Sequence, residues 1–235
     1  MSKRVVQVGL IILAALLLRA DAGAQGGEEL REEFHQTYPL SAGGRVSLEN
    51  LNGAVHVSGW DRNEVRVDAV KRAFKRERLA EVEIIVDASP DAVRVRTRYP
   101  EMDQSFYVKP PRSYDNPATV EYTLTVPRGA RIDSVQLING ALDIKGLAGD
   151  VSASSINGSV TAQGLVGTAK LSTINGKLEA TFDRLEESKP VTLSSVNGSV
   201  AITIPSDSNA QVRASTVHGR ITNDFNLPVR DGEYV

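Results

Sequence analysis

The chain has 235 residues, 24% charged and 41% hydrophobic, with no cysteine and a formal net charge of −2. That length builds a domain with a sizeable core. The lack of cysteine excludes disulfide scaffolding and all cysteine-based zinc, iron–sulfur or thiol chemistry. The near-neutral charge argues against a nucleic-acid partner.

Lys3 and Arg4 precede an apolar run from Val5 to Leu18, and Ala22-Gly23-Ala24 follows. A short basic start, an apolar run and a small-x-small site make residues 1–24 a secretory signal peptide. The run is shorter than the ~20 residues that span a bilayer, and Arg19 and Asp21 close it. The expected product is an exported chain, periplasmic or extracellular, cleaved after Ala24 and left without a stable membrane anchor.

Residues 25–127 hold an N-terminal β segment with a first repeat and an insertion. Residues 128–235 hold the main repeat stack, continuous with that segment as one domain. The repeat is marked by Asn139-Gly140, Asn157-Gly158, Asn175-Gly176, Asn197-Gly198 and His218-Gly219, at spacings of 18, 18, 22 and 21. An earlier copy stands at Asn52-Gly53. The residue before the slot is aliphatic each time, as at Ile138, Ile156, Ile174, Val196 and Val217. Four before stand Val135, Ala153, Leu171, Leu193 and Ala214, and three after stand Leu142, Val160, Leu178, Val200 and Ile221. Polar residues alternate with them, which is the period of a strand with one buried face.

Between the first and second copies the insertion carries strand patterns at Val65–Val70, Val82–Val86, Val93–Thr97 and Val120–Val126. Residues 71–81 are charged and proline-free, which suits a short helix. Two folds compete for the repeat. Asn-Gly between alternating apolar residues is a hairpin signal, because both residues accept positive φ. A parallel solenoid instead stacks equivalent strands at ~4.8 Å, so that identical side chains form ladders. Likeness between copies is rewarded only in the second case. The expected fold is therefore all-β, a β-solenoid-like stack of the parallel β-helix type, with a stranded insertion after the first coil. Asp183–Lys189 is then an insertion at one corner.

The run Val126-Pro127, then Ile138-Asn139-Gly140, Ser155-Ile156-Asn157-Gly158 and Thr173-Ile174-Asn175-Gly176, resembles the bacterial DUF4097 "putative adhesin" domain family, also called Toastrack. Upstream, Asn52-Gly53, Gly59-Trp60-Asp61 and Val65-Arg66-Val67 fit as well. The resemblance covers nearly all of residues 34–227. It implies a β-rich, solenoid-like fold in an extracytoplasmic or membrane-associated setting, and it brings no catalytic residues. Family members continue with further Gly-rich strand repeats past the position of Pro228, whereas this sequence stops at Val235. Either Phe225–Val235 caps the last coil or that coil is open to self-association.

Little in the sequence points to catalysis. Ser154, Ser155, Ser172, Ser194 and Ser195 belong to repeat positions and read as outward or ladder residues. His35, His56 and His218 lie in different coils or flanks, without triad spacing. Asp143, Asp150 and Asp183 are scattered, no metal motif is present, and no cofactor is expected. Gly146–Gly149 and Gly164–Gly167 recur with the coil and read as corners. Cleavage of a polysaccharide needs paired carboxylates, usually beside aromatic platforms. Phe182 is the only aromatic between Arg128 and Thr222.

Phe106, Tyr107 and Tyr114, in a proline-rich stretch of the insertion, are the candidate binding loop. Trp60 reads as core or cap at a corner. Lys71, Arg72, Lys75, Arg76 and Arg78 form a basic cluster with Glu77 and Glu81 interleaved, which reads as a solvated face. The expected function is a non-catalytic adhesin or scaffold of the cell envelope that binds an extended partner through repetitive polar β faces. The alternatives are a partner or sensor domain in envelope stress signalling, and a carbohydrate-active enzyme on a β-helix.

Overall fold

The computed structural model describes residues 29–99 and 118–225. Residues 1–24, the expected signal peptide, the loop aromatics Phe106, Tyr107 and Tyr114, and most of the Phe225–Val235 stretch lie outside the described residues. The fold is almost entirely β.

Each Asn-Gly coil supplies one strand to each of two facing sheets. The five coils are β2 (Arg45–Asn52) with β3 (Val55–Trp60), β8 (Arg131–Asn139) with β9 (Leu142–Lys145), β10 (Val151–Asn157) with β11 (Val160–Leu165), β12 (Ala169–Asn175) with β13 (Leu178–Phe182), and β14 (Val191–Asn197) with β15 (Val200–Thr203). The insertion adds β4 (Glu64–Ala73), the helix α1 (Arg76–Glu81), β5 (Glu83–Ser89), β6 (Ala92–Arg98) and β7 (Thr119–Pro127), and β1 (Leu30–Pro39) precedes them all. One sheet runs β1-β4-β7-β3-β9-β11-β13-β15 and the other β14-β12-β10-β8-β2-β6-β5.

Neighbouring coils pair in parallel and in register: Asn157 lies opposite both Asn139 and Asn175, and Asn175 opposite Asn197. The copy at Asn52 stacks directly on the copy at Asn139, although the insertion separates them in sequence. Within the insertion, β6 pairs parallel with β2 and β7 parallel with β3, so together they extend the stack by one more layer. Beyond them the pairing turns antiparallel, β4 with β7, β1 with β4 and β5 with β6. This is the hairpin geometry that closes the end of a parallel stack.

The core is the space between the sheets. Val135, Leu142, Ile144, Val160, Leu171 and Leu178 are at most 1% exposed, and their removal from water is the main stabilising term. Leu147 and Leu165, in the corner repeats, are buried as well. Gly146 and Gly164 beside them take φ of +64° and +67°, the left-handed turn those corners need.

The residue before each Asn departs from the apolar-slot reading. It sits an odd number of residues from the buried position four before the slot, so on a strand it faces outward. Ile156 and Ile174 are 40% and 42% exposed and Val196 is 71% exposed. The last copy also departs from the pattern: residues 204–225 contain no strand, and Val212 and Val217 are exposed. Trp60 is half-buried, donating from Nε1 to the Glu64 carbonyl at 2.8 Å, with the Arg62 guanidinium 5.0 Å above its ring.

Candidate functional site

The two outer faces of the stack differ in chemistry. On the eight-stranded sheet one cross-strand row runs His35, Asp68, Thr123, His56, Asp143, Thr161 and Glu179. Its ionisable side chains lie against one another or against a neighbouring row. His35 Nδ1 lies 2.7 Å from Asp68 and His56 Nδ1 lies 3.0 Å from Asp143. Arg66 meets Asp68 at 2.8 Å and Lys177 meets Glu179 at 2.6 Å. The basic cluster is spread over β4 and α1 in the same way: Lys71 holds Glu32 at 2.8 Å, Arg72 holds Glu121 at 3.5 Å and Arg78 holds Glu81 at 2.7 Å.

Hydrogen bonds that the His35 ring donates to Asp68 and Glu33 raise its pKa above the ordinary 6.5, outweighing the small cost of burial. A raised folded pKa means that the stabilisation is complete below the ordinary value. It is lost as pH rises through the elevated one. An NMR titration of the His35 ring should therefore show a midpoint above 6.5. Thermal stability should fall over the same range, and His35→Asn should remove that slope.

The seven-stranded sheet presents a different surface over β8, β10, β12 and β14. Gln136, Ser154, Ser172 and Ser194 form one outward row, and Ile138, Ile156, Ile174 and Val196 form the next. At the corner stands an asparagine column. Nδ2 of Asn139 donates to Oδ1 of Asn52 at 2.7 Å, Asn157 to Asn139 at 2.9 Å, Asn175 to Asn157 at 2.8 Å and Asn197 to Asn175 at 2.9 Å. These side chains carry no charge, and their spacing is that of the strands, about 4.8 Å.

The inward side of the same corner has a second polar column. Ser155 Oγ donates to the Gly140 carbonyl at 3.3 Å, Thr173 Oγ1 to Gly158 at 2.9 Å and Ser195 Oγ to Gly176 at 3.1 Å. Ser155 and Thr173 are each 3% exposed, so Ser155 is an interior ladder residue, not an outward one. Outward exposure falls to Ser154, Ser172 and Ser194. In the first coil Asn50 takes this position and donates to the Val120 carbonyl at 2.8 Å. Thr173→Val keeps the shape but leaves that carbonyl of Gly158 without its hydroxyl donor. It should cost about 1–2 kcal/mol in chemical denaturation.

A groove of ≈ 410 Å³ opens where this face meets the insertion, lined among others by Leu51, Tyr99, Ile138, Ser154 and Ile156. Tyr99 donates its hydroxyl to the Ala118 carbonyl at 3.0 Å, and burial pushes its pKa well above the ordinary tyrosine value. Asn50 also lines the groove, and its buried Oδ1 has no hydrogen-bond partner among the described residues. Sequence reasoning did not single out Asn50 or Tyr99. The only available signal was position: Asn50 stands two before the slot, where later coils carry Ser155, Thr173 and Ser195.

His218 and Gly219, the last predicted corner, stand apart from the column formed by the others, in the strand-free segment. Asp150 sits at the opposite corner, where it accepts from the Thr168 N–H at 3.1 Å and meets Lys189 at 3.2 Å. Burial raises its pKa, but these bonds outweigh it and hold the carboxyl below its ordinary range. Asp143 pairs with His56 and Asp183 is exposed. Among the described residues, no cluster of three or more His, Asp or Glu is arranged to hold a metal ion.

No family model and no curated protein matches the chain. The chain is similar to a crystal structure of a "putative cell adhesion protein" from Clostridium sporogenes, at 11% identity and a TM-score of 0.47, over 74% of this chain and 100% of that one. It is also similar to crystal structures of a "putative adhesin" from Bacteroides fragilis and another from Parabacteroides merdae. The first has 10% identity and a TM-score of 0.23 over 74% of this chain and 97% of that one. The second has 7% identity and a TM-score of 0.21 over 73% and 96%.

Proposed function

We propose that this is a non-catalytic, exported protein of the cell envelope, an adhesin or scaffold that holds an extended wall or matrix polymer against its Ser–Ile–Asn face. One observation carries the reading: Ile138, Ile156, Ile174 and Val196 repeat in register beside the asparagine column, and three of these aliphatic side chains are at least 40% exposed. Cross-strand aliphatic pairs stabilise the sheet, but contiguous apolar surface left exposed and rimmed by polar groups is the mark of an interaction site. The amide column alongside supplies hydrogen-bonding groups at the same interval. Together they suit a partner that is itself extended and periodic.

The opposite face is less suited to this role, because its charges already satisfy one another. Two of the repeat serines build the stack, since the Ser155 and Ser195 hydroxyls are hydrogen-bonded to neighbouring coils, and Ser154, Ser172 and Ser194 are left on the outer face. Co-sedimentation of the purified protein with wall sacculi, membrane vesicles and extracellular matrix tests the proposal. Saturable binding to sacculi or matrix is the expected result. Absence of binding to both overturns it and directs attention to a dedicated protein partner in envelope signalling.

A further inference from the structure

Among the described residues the stack ends on an open coil. Val200 and Ile202 of β15 are 45% and 47% exposed, whereas Leu178 and Ala180, at the same positions one coil earlier, are 0% and 2% exposed. Both polar columns run in one direction and stop here with an acceptor. Every asparagine donates to the coil before it, so Asn197 Oδ1 is the next acceptor in the series. Every inner hydroxyl also donates backward, so the Gly198 carbonyl is the next acceptor there. The backbone N–H groups at this corner run the opposite way, each donating to the coil after it. Gly176 N–H donates to Asn197 at 3.1 Å and Leu178 N–H to Ser199 at 2.9 Å, which leaves Gly198 and Val200 as the next donors.

Residues 212–221 carry a match for each of these groups. Val212, Ala214 and Ile221 occupy the slots of Val191, Leu193 and Val200. Thr216 stands where Ser195 stands and supplies a hydroxyl for the Gly198 carbonyl. His218 stands where Asn197 stands and supplies a ring N–H for Asn197 Oδ1. Gly219 follows, as glycine does in every coil. The connection 204–211 is as long as the connection 183–190 that joins β13 to β14. In the structure this segment is detached. Thr216 Oγ1 donates locally to the His218 carbonyl at 2.9 Å. A Cβ on Gly219 would meet nothing closer than Thr216 Oγ1 at 3.6 Å, while one on Gly198 would meet the Gly176 carbonyl oxygen at 1.9 Å.

We infer that the β14–β15 edge is a strand-acceptor site whose occupant is this chain's own 212–221 segment, seated in parallel register as a sixth coil. Seating sets Ile221 beside Val200 and removes the open edge of β14, which is otherwise a template for pairing with other chains. It also lengthens the outer face by one repeat, adding Val217 to the aliphatic ladder and His218 to the polar column. Opposing it is the conformational entropy of ordering a segment that is strand-free when detached.

The chain has no cysteine, so a disulfide reports the register directly. Ser172 lies opposite Ser194 in the stack, and Ser215 takes the next place in that row once the segment is seated. S194C/S215C, both exposed positions, should form an intrachain disulfide in most molecules on mild oxidation, because in-register neighbours fall within disulfide reach. The out-of-register pair S194C/R220C should form none. Adding Gly219→Val to S194C/S215C should lower the yield several-fold, since the seated glycine has no room for a side chain. A disulfide between two chains overturns the inference in favour of exchange between copies. No disulfide in S194C/S215C overturns it as well.

Discussion

Replacing Gly158 by alanine is expected to split the stack between β8–β9 and β10–β11. A Cβ there would lie 1.9 Å from the Gly140 carbonyl oxygen and 2.6 Å from its carbon, both backbone atoms that no rotamer change can move. Only separation of the coils relieves the clash. That separation stretches the bonds on either side, Gly140 N–H to Asn157 at 3.0 Å and Ser155 Oγ to Gly140 at 3.3 Å. The asparagine bond from Asn157 to Asn139 lies directly over the same corner.

The cost should be about 3 kcal/mol or more, at the upper end of overpacking. Because each coil touches only its neighbours, the loss should decouple the two parts of the solenoid, giving a broadened or two-step denaturation. Gly43→Ala is the control, since a Cβ there meets nothing within 4 Å. It should stay within about 0.5 kcal/mol of the parent. Equal stability of Gly158→Ala and Gly43→Ala would remove the steric column as the reason for the glycine repeat.

The second large effect is on binding rather than folding. Ile156→Asp with Ile174→Asp places two charges in the middle of the aliphatic ladder, on side chains 40% and 42% exposed. Each substitution alone should cost about 1 kcal/mol of stability, the loss of a half-covered β-branched side chain from its cross-strand ladder, and leave the protein folded. Binding to sacculi or matrix should fall at least tenfold, because each aspartate must lose water against an apolar contact. Asp143→Asn on the opposite face should leave binding unchanged. If instead Asp143→Asn weakens binding and the ladder variant does not, the working surface is the charged eight-stranded face.

The repeat itself was legible from residues 135 to 203. Asn-Gly at a regular interval, with apolar residues four before and three after, specifies coils whose strands alternate in and out. Likeness between copies then chooses parallel stacking over hairpins, since only stacking sets equivalent residues against one another. The copy at Asn52 was legible for the same reason, despite the insertion between it and Asn139.

What the local pattern left open was what each repeated residue does. Asn-Gly reads locally as a turn that needs positive φ, yet Gly158, Gly176 and Gly198 are required by the approach of the preceding coil, a distance no single coil contains. The hydroxyl of Thr173 is indistinguishable in sequence from an outward one until a carbonyl 15 residues earlier closes the bond. The aliphatic residue before each asparagine is as apolar as the core positions, and its parity on the strand turns it outward. Sequence by itself determined the period and the parallel stack, because both follow from local alternation and from likeness between copies. Tertiary structure decided which repeated side chains build the interior, which form the exposed ladder, and that the sixth copy stands off the stack. Those outcomes depend on the contacts between coils, and only the assembled sheets contain them.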